Sequence, residues 1–228
     1  MFIDPLYIIL VMPMLIISMI AQASVQSTYK KYSRMASRSA LTAESAVRLI
    51  LDKNGLYNVS ITRVRGNLTD HYDPRTNTIA LSDSVYGNTS VAAIGVAAHE
   101  AGHAIQHATG YIPIKLRTAI VPVAQLGSKL CMPLLIIGLL MAFEPLAYAG
   151  IILFAATTVF ELVTLPTEFN ASRRAIAAIS ESAYLNDEEI KGAKKVLAAA
   201  ASTYLAALFV SLASLLRLLL IVNGRRRD

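Results

Sequence analysis

His99-Glu100-Ala101-Gly102-His103 sets two imidazoles four residues apart, with a carboxyl directly after the first. On an α-helix, residues i and i+4 project from one face, so His99 and His103 can share a single tetrahedral metal ion. Glu100 then lies beside the metal's open position. There it can take a proton from a water on a catalytic zinc, whose pKa falls to about 7, and hand it on to a leaving amine. The H-E-x-x-H spacing in a helical context is the pattern of a zinc hydrolase. The competing reading is a solvated helix face that carries these residues by chance. His107 continues the four-residue series, but each such step drifts by about 40° around the helix, so its ring points away from the metal axis.

Two histidines make a weak site, and a third protein ligand must come from elsewhere in the chain. The stretch Thr167-Glu168-Phe169-Asn170-Ala171-Ser172-Arg173-Arg174-Ala175 reads as a helix start directly after an apolar block. Pro166 is expected to break the chain from that block and change its direction. Glu168 is thereby brought back beside the histidine helix as third ligand of one Zn2+ per chain. The alternative for Glu168 is a first-turn acid that complements the helix dipole. His71, Tyr72, Tyr111, Arg173 and Arg174 flank these motifs and are candidates to stabilise the negative charge of a transition state.

The segment that positions the pentapeptide changes its period in an orderly way. Residues 43–53 have a helical apolar pattern, with Thr42 as a candidate N-cap and Gly55 just past the end. Residues 57–64 alternate as a half-buried strand does, turns follow at 65–67 and 73–77, and 78–82 form a second short strand. A long helix then starts near Asn88 or Thr89 and ends at Gly110. Its first half, 91–98, is apolar but too short to span a bilayer before His99, which puts the site at a membrane face and not in mid-bilayer. The strand residues Asn77, Thr78, Ile79, Ala80 and Leu81 are expected to form an edge above the metal. Such an edge either pairs with a substrate backbone or is purely structural.

The rest of the chain is dominated by long uncharged blocks. Of 228 residues, 55% are hydrophobic, which excludes an ordinary soluble enzyme. Residues 5–24 carry no charge and match the roughly 20 residues that a spanning helix needs. No basic stretch precedes them, whereas Lys30, Lys31, Arg34 and Arg38 follow. That describes an uncleaved anchor with the next segment cytoplasmic. Residues 118–165 read as a helical hairpin divided at Glu144-Pro145. Residues 197–222 form a fourth block containing Arg217, followed by Arg225-Arg226-Arg227. Four crossings would leave this basic tail outside, against the charge rule, so either the last helix crosses incompletely or the tail is an exception. Glu161, near the end of the third span, reads as a carboxylate at the cytoplasmic interface, with an intramembrane functional carboxyl as the alternative.

The organisation expected is an anchor at 1–24, a cytoplasmic catalytic unit at 25–116, a transmembrane hairpin at 117–165, a ligand-bearing helix at 166–196, a transmembrane helix at 197–222 and a basic tail at 223–228. The fold class is a mainly α integral membrane protein, with about four transmembrane helices and a small α+β zincin-like unit of short strands plus the H-E-x-x-H helix. Cys131 is the only cysteine, so no disulfide forms within the chain. The Asn-x-Ser/Thr sites at Asn58, Asn67, Asn88 and Asn170 carry weight only if translocated. The net charge of +6 sits beside apolar spans and not in an aromatic-interleaved stripe, which argues against nucleic acid. The spans hold too few polar groups for a channel or transporter.

With the pentapeptide, Glu168 and four apolar blocks together, the chain resembles the membrane-bound neutral zinc metallopeptidases of the YugP type. The stretches 77–82, 99–106 and 165–175 carry the likeness, which covers nearly the whole length. The resemblance implies kinship with the HtpX class of gluzincins and a zinc endopeptidase of a bacterial-type plasma membrane, acting on membrane-proximal polypeptides. In that class an aspartate stands four residues after the ligating glutamate, and here that position is Ser172. Asn170 or Ser172 is then left to orient a ligating imidazole in its place. The alternative function is a non-catalytic zinc-binding membrane scaffold, for which Glu100 would have no use.

Overall fold

The computed structural model describes residues 4–182 and 184–225. The last three residues of the basic tail and the first three of the anchor therefore lie outside the described residues. A π-helical turn at Tyr7–Val11 leads into α1 (Met12–Tyr32), followed by α2 (Ala43–Lys53). Three short strands come next: β1 (Ser60–Val64), β2 (His71–Asp73) and β3 (Thr78–Ser82). The chain then forms α3 (Val91–Ala108), α4 (Ile112–Leu140), α5 (Glu144–Ser182) and α6 (Asp187–Arg225). Packing divides it into two compact units, one of residues 1–21, 116–166 and 202–228, the other of residues 22–115 and 167–201.

The first unit is apolar and is a membrane domain. Four helices are long and apolar enough to cross a bilayer: Tyr7–Tyr32, Ile112–Leu140, Glu144–Ser182 and Asp187–Gly224. They leave large apolar side chains such as Ile16, Met19, Ile20, Ile152 and Leu205 exposed. An apolar surface on this scale is stable against lipid and not against water. Within this unit α4 and α5 approach along a seam of small residues. A Cβ on Gly127 would stand 2.8 Å from the Leu153 carbonyl, and one on Gly150 would stand 2.7 Å from that of Cys131. Small residues allow such backbone approach where hydrophobic burial cannot drive helices together. Arg217 Nε donates to Asp4 Oδ2 at 2.6 Å, and its guanidinium lies 5.2 Å from the Tyr7 ring centroid. Arg217, the charge inside the fourth apolar block, is thus a partner for the start of the first span. Glu161 also belongs to this unit, near Thr158 and Ser211, whose hydroxyls are 2.8 Å apart.

The second unit is the small α+β part. Its sheet has the order β1-β3-β2, with β1 parallel to β3 and β2 antiparallel to it. The strand expected at the edge is therefore the centre. Residues 78–82 pair with β1 throughout and 78–80 pair with β2 as well, and Ile79 and Leu81 are fully buried. That corrects the edge role expected for Asn77, Thr78, Ile79, Ala80 and Leu81: Thr78, Ile79 and Ala80 are paired on both sides, Leu81 is buried beside them, and Asn77 precedes the strand. The missed element was β2, three residues too short to show a period. The first strand begins at Ser60, three residues later than its alternation suggests.

The helices of this unit have legible ends. Helix α2 starts after an extended Thr42 and is followed by Gly55 at φ +73. Helix α3 is capped by Ser90, whose hydroxyl accepts from the Ala93 amide, not by Asn88 or Thr89. Its last turn closes as a Schellman motif: Tyr111 donates to the Gln106 carbonyl, Gly110 to that of His107, and Gly110 sits at φ +65. At the start of α6, Asn186 and Glu189 exchange side-chain and backbone bonds as a capping box, and Glu189 also accepts from the Arg38 amide. The break expected at Pro166 is absent. Helix α5 runs through it unbroken, since losing one hydrogen bond costs less than exposing a turn of backbone in apolar surroundings. The divisions expected at 165/166 and 196/197 fall inside α5 and α6, close to the limits of the compact units at 166/167 and 201/202.

Helix α3 is the centre of this unit, packed on α2 and the sheet through Val91, Ala97, Ala98 and Ala101. It meets the Glu168 part of α5 through Gly102, where an added Cβ would stand 2.5 Å from the Ala171 carbonyl. At Gly95 the same addition meets Ala193 Cβ at 3.3 Å. Alanine is intrinsically favoured over glycine in a helix by about 1 kcal/mol, whereas overpacking a close contact costs about 1–3 kcal/mol. Gly102→Ala is therefore expected to lower the melting temperature of the detergent-solubilised protein, while Gly95→Ala leaves it near wild type or raises it. Equal shifts for the two variants would contradict the close helix contact.

Candidate metal centre

Successive turns of α3 present His99 and His103 on one face, their rings edge to face with centroids 4.7 Å apart. Glu168, from α5, points its carboxylate between them. Glu168 Oε2 lies 3.2 Å from His99 Nε2 and 3.7 Å from His103 Nε2. One ligand atom from each of the three residues falls within 4.8 Å of the others. Tetrahedral zinc with nitrogen and oxygen ligands at about 2.0–2.1 Å separates its ligands by about 3.3 Å. Two imidazole nitrogens and a carboxylate at these spacings fit that ion.

The electrostatics also call for a cation. Glu168 is 2% exposed and Glu100 8%, so two carboxylates are withdrawn from water within one small volume. Buried carboxylates need compensating positive charge. His103 answers part of that need: burial works against its protonated form, but Glu168 and Glu100 outweigh burial and raise its proton affinity above the usual imidazole range.

The far sides of both rings are held. His99 Nδ1 lies 3.1 Å from Ser172 Oγ, and His103 Nδ1 lies 3.0 Å from Gln106 Oε1. Ser172, at the position where an aspartate was missed, thus orients one imidazole. Gln106 Nε2 donates to the Thr167 carbonyl at 2.7 Å and to Asn170 Oδ1 at 3.0 Å. Asn170 Oδ1 also accepts from Arg174 Nε at 2.8 Å, and the Arg174 guanidinium lies 5.9 Å from the Tyr111 ring centroid. Gln106 and the Thr167 carbonyl were not singled out in the sequence. The available signal was spacing, since Gln106 stands three residues after His103 on the same helix face.

The remaining candidates separate. Tyr72 donates its hydroxyl to Asn77 Oδ1, and its ring centroid is 5.6 Å from that of His107. His107 therefore packs toward β2 and lies outside the cluster, as the helical drift requires. His71 is exposed, with Nδ1 donating to the Thr69 carbonyl, and Arg173 is exposed on α5.

Four apolar helices among the described residues and a His-His-Glu cluster, buried at His103 and Glu168, define a membrane protein with a candidate zinc centre. The chain belongs to the family described as "Putative neutral zinc metallopeptidase", which matches residues 7–223. It is similar to a protein of Bacillus subtilis (strain 168) named "Putative membrane protease YugP", with 46% identity over 221 residues that cover 96% of this chain and 98% of that one. No solved structure matches the chain. Membership makes it a membrane-associated protein of a zinc peptidase family.

A ligand that binds only the folded state stabilises it by about 4 kcal/mol at a thousandfold excess over Kd. Chelation is thus expected to lower the melting temperature, and zinc to restore it, in wild type but not in His99→Ala, His103→Ala or Glu168→Ala. The chelated protein carries a further signature. Folding raises the proton affinity of His103, so the folded state binds more protons and that stabilisation is lost as pH rises through the shifted value, above the ordinary 6.5. Melting curves of chelated protein across that range are expected to fall with pH, and zinc-loaded protein to fall less.

Proposed function

We propose that this chain is a zinc endopeptidase of the gluzincin kind, holding one zinc through His99, His103 and Glu168 and cutting polypeptides close to the membrane. The observation that carries the reading is the convergence of those ligand atoms within 4.8 Å, with Glu100 buried on the same helix beside them. Zinc bound there would supply Lewis acidity, acidifying a water and polarising the scissile carbonyl. The rest of the chemistry falls to the chain. Glu100 takes the proton released as the water oxygen attacks the carbonyl carbon, and delivers it to the amide nitrogen as the C–N bond breaks. His99 and His103 turn Nε2 inward, with Nδ1 held by Ser172 and Gln106. An extended substrate has an edge to pair with at β2, which lies on the outside of β3 and carries Tyr72 against His107. The basic residues Lys30, Lys31, Arg34 and Arg38 after the first span favour a cytoplasmic position for this unit.

Removing a general base costs about 10²–10⁴ in rate. In detergent, Glu100→Gln is expected to lose hydrolysis of casein-like and membrane-segment substrates by at least that factor while retaining zinc, and Glu168→Ala to lose both. Undiminished hydrolysis by Glu100→Gln overturns the assignment of the base. Stoichiometric zinc in wild type with no hydrolysis of either substrate class replaces the peptidase reading with a zinc-binding scaffold.

A further inference from the structure

Gln106 is fully buried in the last turns of α3, where a long polar side chain is retained only if every polar atom has a partner. Its partners dictate which way round the amide lies. The Thr167 carbonyl can only accept, so the atom 2.7 Å from it is the amide nitrogen. Asn170 agrees from the other side. An arginine can only donate, so the Asn170 atom 2.8 Å from Arg174 Nε is its oxygen, and that same oxygen receives the second Gln106 N–H. Gln106 Oε1 is therefore the atom turned to His103 Nδ1, and an amide oxygen only accepts. Each bond in the series Arg174, Asn170, Gln106, His103 has a single permitted direction. His99 differs, because the Ser172 hydroxyl on its Nδ1 can donate or accept.

We infer that Gln106 is a positioning residue that holds the proton of His103 on Nδ1, leaving the Nε2 lone pair as the metal-facing atom, with Asn170 and Arg174 orienting the Gln106 amide. The inference rests on the reading of His103 as a metal ligand. It gives Gln106 a chemical function in place of a mere core-filling one, and gives Asn170 and Arg174 a role at one remove from the metal.

The test is made on full-length protein in detergent, by Zn2+ titration against a chromophoric chelator and by the visible absorption of the Co2+-loaded protein. Outer-sphere partners of metal-bound histidines are worth about 10–100-fold in metal affinity. Gln106→Leu is expected to weaken Zn2+ binding by that factor and to change the Co2+ bands. Wild-type affinity and spectrum in the leucine variant overturn the inference. Should Gln106→Leu fail to fold, Asn170→Ala is expected to weaken binding several-fold with rescue by Asn170→Asp, which preserves the accepting oxygen; no loss, or no rescue, overturns the inference. His103→Ala and Glu168→Ala in the same titration separate the two readings. If those variants bind Zn2+ like wild type, the metal centre itself is wrong whatever Gln106 does.

Discussion

The close approach of α3 to the Glu168 part of α5 is the constraint on which the candidate site depends. Gly102 has no side chain because the Ala171 carbonyl occupies the space where a Cβ would stand. With the backbones that near, Glu168 reaches the faces of both histidines from the neighbouring helix, and Ser172, one turn on, meets the outer nitrogen of His99. The two unspecified residues of the pentapeptide are therefore not neutral. Ala101 is fully buried in the core and Gly102 is the point of contact, so α3 is small where the candidate ligands need a neighbour at short range.

Burial follows from the same contact and sets the electrostatics. A carboxylate shut between two helices with imidazoles on either side is costly unless a positive charge joins it. The proton affinity of His103 is raised for this reason, and a divalent ion satisfies the same demand with two imidazoles left neutral. The polar chain from Arg174 through Asn170 and Gln106 keeps the surroundings fully hydrogen-bonded at the price of a specific arrangement: a buried network half satisfied would be worse than an apolar core.

The membrane domain solves a different problem with a different stock of residues. Its helices cannot gain by burying apolar area from water, so α4 and α5 meet at Gly127, Cys131 and Gly150, where backbones come close enough for dispersion to act. Arg217 there is paired with Asp4. The unbroken passage of α5 through Pro166 belongs to the same logic. Proline costs a helix one backbone hydrogen bond, and α5 keeps its remaining bonds on either side of Pro166.

Much of this protein was legible in one dimension because the signals are local. Helical spacing sets His99, Glu100 and His103 on one stretch of one face, hydropathy marks the apolar helices, and Gly55 and Gly110 mark helix ends by backbone conformations that other residues resist. Glu168 stands out as an acid just after the third apolar block, but the turn at Pro166 expected to bring it to the histidines does not occur. What the tertiary structure decided are relations between distant segments. Glu168 meets His99 across 69 residues, Gln106 finds Thr167 across 61, and β3 lies between β1 and β2 and not at an edge. No residue's own propensity encodes such relations. They arise when helices and strands pack, because the space left at Gly102 and the polar atoms left at Gln106, Asn170 and Ser172 become complementary only once their elements are side by side.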